Sequence, residues 1–365
     1  MFFGELFSGP GGIALGAHQA AEANGLALTH AWANDLDADS CETYVNNIPG
    51  ATAASVHHED VRSLDIRRLS PIEGFAFGFP CNDFSTVGER LGVGGKFGPL
   101  YSYGVDVLNQ LNPNWFFAEN VGGIRSSGDG STFRKILADL SSAGLHGYKV
   151  VPHLYKFEEY GVPQARHRVI VIGIRKDLDF EFHPPSPAPF REIDVSSRTC
   201  LESPPIDPSA LNNELTKQSP TVIRRLEHIK PGQNAFNADL PEDLKLNVKG
   251  AKISQIYKRL DPNKPSYTVT ASGGGGTHVY HYAEPRALTN RERARLQSFP
   301  DNYRFYGGKE SVRKQIGMAV PVAGARVVFD ALFKTLNRVS YESCESNLRE
   351  HMPPEAQRDQ EELFD

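Results

Sequence analysis

Short apolar runs alternate with amphipathic stretches through the first half of the chain. The runs "FFGELF", "LTHAWA", "GFAFGF", "NWFFAE", "YKVVPHLY" and "HRVIVIGI" are rich in aromatic and β-branched residues and read as strands. Helical periods lie between several of them, such as "GIALGAHQAAEANG" and "STFRKILADLSSAG". This rhythm predicts an α/β, Rossmann-like fold: a mostly parallel sheet with helices on both faces. The pattern breaks after Arg175. "HPPSPAPF" and "LESPPIDPS" are irregular connectors, and little periodicity returns before "LTNRERARLQSFP" and the amphipathic "PVAGARVVFDALFKTLNRV". The expected organisation is one domain from 1–185 and 285–340, a smaller irregular domain at 186–284, and a polar tail at 341–365. There is no internal repeat.

Composition narrows the picture. With 365 residues, 39% hydrophobic and 23% charged, the chain suits one large or two ordinary globular domains. Its net charge of −5 excludes a general polycation, so any nucleic-acid contact must be locally basic. Cys41, Cys81, Cys200 and Cys344 are widely spaced and show no CxxC or Cys/His ligand pattern, so no metal site is expected. No basic region precedes an apolar stretch at the N-terminus, and no apolar run reaches membrane-spanning length. A reducing, cytoplasmic setting without membrane contact is the expectation.

Two stretches carry candidate chemistry. "FFGELFSGPGG" is a strand followed by a tight glycine-rich turn and a helix start. Gly9, Gly11 and Gly12 can bring backbone close to an anionic ligand at a helix N-terminus, although the same glycines also suit a plain turn. The next strand ends in "WANDLD", putting Asp35 where ribose hydroxyls are held in dinucleotide-type folds. Asp60 follows a third strand and could accept from an adenine amino group. Together these suggest an adenosine-containing cofactor, and the absence of GxGxxG and GxxxxGK[ST] disfavours NAD and ATP. The second stretch is "GFPCNDFS". Cys81 stands at a strand end, behind Pro80 and ahead of a glycine-rich segment that reads as a mobile lid. Glu119, in "FAENVGG", ends a neighbouring strand, where open α/β sheets bind ligands. Gln164, Arg166 and Arg168 alternate in "QARHR" and are expected on one side of a strand.

The ordered set "FSGPGG", "NDLD", "GFPCNDFS", "FAENV", "QARHR", "RALTNRERARLQSFP" and "QIGMAVP", from Phe7 to Pro321, resembles the DNA (cytosine-5)-methyltransferases of restriction–modification systems. The resemblance implies methyl transfer from S-adenosyl-L-methionine to C5 of a flipped-out cytosine, through a covalent bond from Cys81 to C6. Glu119 would donate at the N3 and 4-amino edge. Arg168 would hold O2, and Arg166 would support Arg168 and Glu119. Phe7 and Leu36 would contact adenine, Asp35 the ribose, and Asp60 and Val61 the adenine edge. Ser8, Gly9, Gly11 and Gly12 would line the methionine end, with Pro80 and Leu100 on the methyl-donor side. Two positions depart from the family pattern: Asn82 stands for the usual Gln, and Met318 for the usual Asn.

The same resemblance makes 186–284 a target-recognition domain for double-stranded DNA. In it, "KGAKISQIYKRL" offers Lys252, Gln255, Lys258 and Arg259, and "TVTASGGGGTHVYHY" offers Thr268, Gly273, Gly274 and Gly275. Ser85 and Gln164 complete the expected DNA contacts. The protein is expected to act as a monomer, with a restriction endonuclease of the same site as a candidate partner. Three rival readings remain: a tRNA cytosine-5 methyltransferase of the same fold, a non-catalytic DNA-binding regulator, and a flavin or NAD oxidoreductase.

Overall fold

The computed structural model describes residues 1–79, 100–247, 254–274 and 276–352. The chain divides into two compact units. The first comprises 1–156, 167–189 and 325–365, and the second 157–166 and 190–324.

The first unit is built on a seven-stranded sheet. Its strands are β1 (Phe2–Leu6), β2 (Thr29–Asp35), β3 (Val56–His58), β4 (Gly74–Gly78), β5 (Trp115–Val121), β6 (Tyr148–Lys156) and β8 (His167–Arg175), in the order β3-β2-β1-β4-β5-β8-β6. A two-residue β7 (Gln164–Ala165) lies in the second unit. The strands from β3 to β5 pair in parallel. β8 runs antiparallel to both its neighbours. All six strands read from the sequence are present. The helices of this unit are α1 (Gly12–Ala23), α2 (Ala38–Asn47), α3 (Tyr101–Leu111) and α4 (Ser131–Ser142).

The apolar runs are continuous because the central strands are buried on both faces. Phe75, Phe77, Phe116 and Phe117 are completely inaccessible, and Phe75 and Phe77 stack at 5.0 Å. Each such ring contributes roughly 1.5–3 kcal/mol by leaving water. Strand glycines make room for the rings: a Cβ at Gly74 would lie 2.0 Å from the Trp115 ring, its registered partner on β5.

The second unit has little regular structure. It holds α5 (Ser197–Glu202), α6 (Pro220–His228), a pairing of β7 with β9 (Ser266–Tyr267), α7 (Asn290–Leu296) and α8 (Lys309–Met318). α9 (Val322–Leu336) begins in this unit and continues in the first. Its limits differ from the sequence reading, because 285–324 groups with it. Arg291 in α7 explains why. That side chain is fully buried and donates to the carbonyls of Leu211, Pro300 and Tyr303, binding the "LTNRERARLQSFP" helix to the irregular segment before it. A capping box between Thr289 and Glu292 starts the helix.

Among the described residues one stretch, Lys309–Leu336, is long and apolar enough to cross a membrane by composition, a length the strand-and-helix reading did not anticipate. Most of its apolar window is buried within the protein.

Candidate functional site

Parallel strands present their carboxyl ends at one edge of a sheet, and the first unit collects its chemistry there. β1 leads into Phe7, whose φ of 55° is a left-handed conformation uncommon for an aromatic residue. Gly9 follows at φ 52°, and Gly11 at φ 90° caps α1 with Gly12 as its first residue. Asp35 at the end of β2 fastens this turn. Its Oδ2 accepts from Gly9 N–H at 2.8 Å, and its Oδ1 accepts from Asp37 N–H at 2.9 Å. The aspartate therefore organises the loop in addition to any ligand it holds.

Three features of the loop fit a bound adenosyl cofactor. The Ser8 hydroxyl is buried and has no hydrogen-bond partner among the described residues. A Cβ on Gly9 would meet nothing within 4 Å, so the space beside its backbone is open. Leu36, just past β2, is 66% exposed, an apolar side chain available to a flat apolar ligand.

Three other cofactor candidates have contacts of their own within the protein. Asp60 is clasped by Arg62, whose Nε lies 2.9 Å from Oδ1 and whose Nη2 lies 2.5 Å from Oδ2. That guanidinium pulls the carboxyl down to about 2. Val61 is buried in the core. Leu100 is half-buried at the start of α3 and packs on the same core.

Glu119 lies opposite Gly78 on β4 and opposite Ile170 on β8. Because β8 is antiparallel, its beginning lies beside the ends of the parallel strands. Arg168 Nε thus meets Glu119 Oε1 at 2.8 Å, with both side chains mostly shielded. Gly78 leaves space for the acid, since a Cβ there would come within 3.2 Å of Glu119 Oε2. Asn120 was not singled out from the sequence. Its amide donates to Phe79 O at 3.1 Å and so fixes the residue that precedes Pro80 and Cys81. The signal was a polar side chain within the buried run "NWFFAENV".

The expectation that Gln164, Arg166 and Arg168 share one strand face fails, because the chain leaves β7 before β8 begins. Gln164 is fully buried in the second unit, bonding Leu296 O, Gln297 Oε1 and Val269 N–H. Arg166, also buried, donates to Val269 O and Gly317 O at 3.0 Å each. Both side chains tie segments of the second unit together.

The recognition candidates divide similarly. Arg259 is buried and donates to the carbonyls of Leu226, Ile229, His281 and Tyr282, which makes it a structural tie. Thr268 gives its hydroxyl hydrogen to Ala165 O. Gln255 is half-buried. Lys258 places its ammonium 4.8 Å over the Tyr267 ring. Gly273 is pressed against Arg313, whereas Gly274 is open, with φ 144°. Cys81, Pro80, Asn82, Ser85, Lys252 and Gly275 lie outside the described residues. Met318 closes α8 and is 61% exposed.

Among the described residues no group of His, Cys, Asp and Glu is arranged to hold a metal. Burial pushes the Cys41 and Cys200 thiols up to about 12, so neither supplies a thiolate near neutral pH.

The model of the C-5 cytosine-specific DNA methylase family matches residues 1–334. The chain belongs to that family. Type II methyltransferase M.BbvI of Brevibacillus brevis is 55% identical over 352 residues, covering 94% of this chain and 93% of that protein. Type II methyltransferase M.NgoFVII of Neisseria gonorrhoeae is 40% identical over 325 residues, covering 87% and 83%. Among solved structures, a protein assigned as a DNA modification methyltransferase encoded within a prophage (E. coli) superposes with a TM-score of 0.69. It is 25% identical, and the match covers 92% of this chain and 99% of that one. The fold of the S. pombe Dnmt2 methyltransferase is also shared, with a TM-score of 0.55 at 18% identity over 93% of this chain and 99% of that one. The methylase is thus a DNA (cytosine-5-)-methyltransferase on a Rossmann-like fold.

Proposed function

We propose that this methylase modifies cytosine C5 at one short sequence in duplex DNA, as the modification partner of a type II restriction endonuclease. The observation that carries the reading is the Glu119–Arg168 pair, 2.8 Å apart at the sheet edge and in register with the strand that runs into Cys81. An acid held by a guanidinium suits a ring that must accept a nucleophile before it can act as one.

In this reading the Cys81 thiolate forms a bond from Sγ to C6 of the cytosine. Glu119, once protonated, donates at N3 and accepts from the 4-amino group as electron density moves into the ring, and Arg168 holds O2 and orients the acid. C5, now enamine-like, takes the methyl group. Loss of the C5 proton to a base then expels Cys81 and restores the aromatic ring. Since this face is closed in a stacked duplex, the target base is extruded before attack. S-adenosylmethionine, when bound, supplies a methyl group on an electrophilic sulfonium. Gly9, Gly11 and Gly12 would carry its carboxylate end, Asp35 its ribose and Leu36 its adenine. The unpartnered Ser8 hydroxyl and the open side of Gly9 support that placement.

The decisive experiment is trapping with a duplex that carries 5-fluorocytosine at the target, mapped beforehand by bisulfite sequencing of DNA from expressing cells. Fluorine blocks the last elimination, so an adduct that needs cofactor should accumulate on Cys81. A labelled peptide from elsewhere in the chain would overturn the mechanism. Methyl incorporation into tRNA in place of duplex DNA would overturn the substrate.

A further inference from the structure

Beneath the glycine loop of the second unit lie two buried arginines that the mechanism does not use. Arg293 is 1% exposed and has no ion-pair partner among the described residues. Its Nη2 lies 3.2 Å from His278 Nδ1, and its Nη1 bonds to none of the described residues. Arg313 is 8% exposed. Its Nη2 donates to Gly273 O at 3.4 Å, its Nε is likewise without a partner among the described residues, and its acidic neighbour there, Glu310 at 3.6 Å, is itself 89% exposed. The guanidinium lies directly against the bare Cα of Gly273, because a Cβ there would be 2.3 Å from Arg313 Nε.

The two charges are near enough to oppose each other. Burial first, and then the neighbouring Arg313, pulls Arg293 down to about 10, which still leaves it charged at neutral pH. Burial, followed by the same two arginines, pushes His278 down to about 4, so it serves as a neutral acceptor. Burying a guanidinium without a matching anion is unfavourable. The charge of such a group, shielded from salt, acts on whatever meets the surface above it. That surface is Gly273 and Gly274: the N–H groups of these residues bond to no described residue, and a Cβ on Gly274 would meet nothing within 4 Å.

We propose that Arg293 and Arg313 charge the loop at Gly273 and Gly274 from beneath and make it a contact for a backbone phosphate of duplex DNA. The inference rests on the reading of this loop as DNA-facing. It adds the source of affinity and assigns the loop a register-setting contact as well as any base contact. The two arginines are positioning residues that act through the glycine backbone.

The test is binding of the full-length protein to a mixed-sequence duplex over a range of KCl concentrations, with thermal melting in parallel. Arg313→Gln should weaken binding about tenfold and make the salt dependence shallower by about 0.9 in the log–log slope, the signature of one lost phosphate charge, and Arg313→Lys should keep the slope. Glu310→Gln, a surface change that needs no repacking, should act oppositely and tighten binding. That variant keeps the test decisive if Arg313→Gln does not fold. A wild-type salt slope in folded Arg313→Gln, or unchanged binding in Glu310→Gln, would overturn the inference. Gly274→Val separates this failure from that of the parent reading: if it binds DNA as wild type does, the loop is not a DNA face at all.

Discussion

Arg168 reaches Glu119 across 2.8 Å from a strand that runs opposite to the one bearing the acid. The reversal of β8 brings the beginning of one strand beside the end of another, and the pair exists because of it. Both side chains are largely withdrawn from solvent, so the charge–charge hydrogen bond is stronger than its surface counterpart and its loss is costly.

Glu119→Gln keeps the shape and removes the acid. Methyl transfer in a single turnover should fall by about 10²–10⁴, the range for loss of a positioned general acid. Affinity for duplex DNA should change little. An activity within a few-fold of wild type would remove Glu119 from proton transfer.

Asp35→Ala removes the acceptor that holds Gly9 and Asp37. Hydrogen bonds to a charged group contribute about 1.5–3 kcal/mol, so affinity for S-adenosylhomocysteine should drop by roughly 10- to 100-fold. Calorimetry on the wild type and variant measures this directly. DNA binding without cofactor should be unaffected, and an unchanged nucleoside affinity would reduce Asp35 to a loop residue.

The six strands and the glycine turn after the first of them were legible because buried strands and glycine turns leave local patterns, whereas the order of the strands came only with the structure. What could not be read was which polar residue of a motif faces inward. Lys258 and Arg259 are adjacent and equally basic, yet Lys258 lies over Tyr267 while Arg259 is buried among four carbonyls. Likewise "QARHR" reads as one alternating strand, and only the tertiary structure reveals that Arg166 and Arg168 belong to different units. Burial of a charged side chain is decided by distant backbone carbonyls, which leave no trace in neighbouring residues.

Stability should fall as pH drops below neutrality. Burial holds His30 and His153 at about 4, below the ordinary 6.5. Between these values the unfolded chain binds protons that the folded one refuses. Each histidine's contribution is therefore complete above about 6.5 and is lost as pH falls toward 4, on the order of 3 kcal/mol each at most. Glu5 acts oppositely. Its buried carboxyl is raised well above the ordinary 4.5, so its contribution is present at low pH and lost as pH rises. Urea unfolding at pH 7.5 and near pH 5 should show a net loss, smaller in His153→Gln. An equal loss in His153→Gln and the wild type would mean that His153 is not buried in its neutral form.

The last expectation sets Arg259 against its neighbour. Arg259→Met leaves the carbonyls of Leu226, Ile229, His281 and Tyr282 without their donor in the interior of the second unit. Each orphaned buried acceptor costs about 1–3 kcal/mol, so the loss should exceed about 3 kcal/mol even after relaxation. Lys258→Met gives up a cation–π contact of roughly 0.5–1 kcal/mol and should melt close to wild type. DNA binding should separate the two in the other direction. Folded Lys258→Met should bind all duplexes more weakly, with a salt slope shallower by about 0.9, if its ammonium meets a phosphate. Arg259→Met should lose DNA only to the extent that it unfolds, and lowering the temperature should restore binding with the wild-type slope. Thermal melting and salt titrations of both variants decide the matter. A stable Arg259→Met that has lost the salt dependence would make Arg259 a DNA contact and overturn its structural assignment.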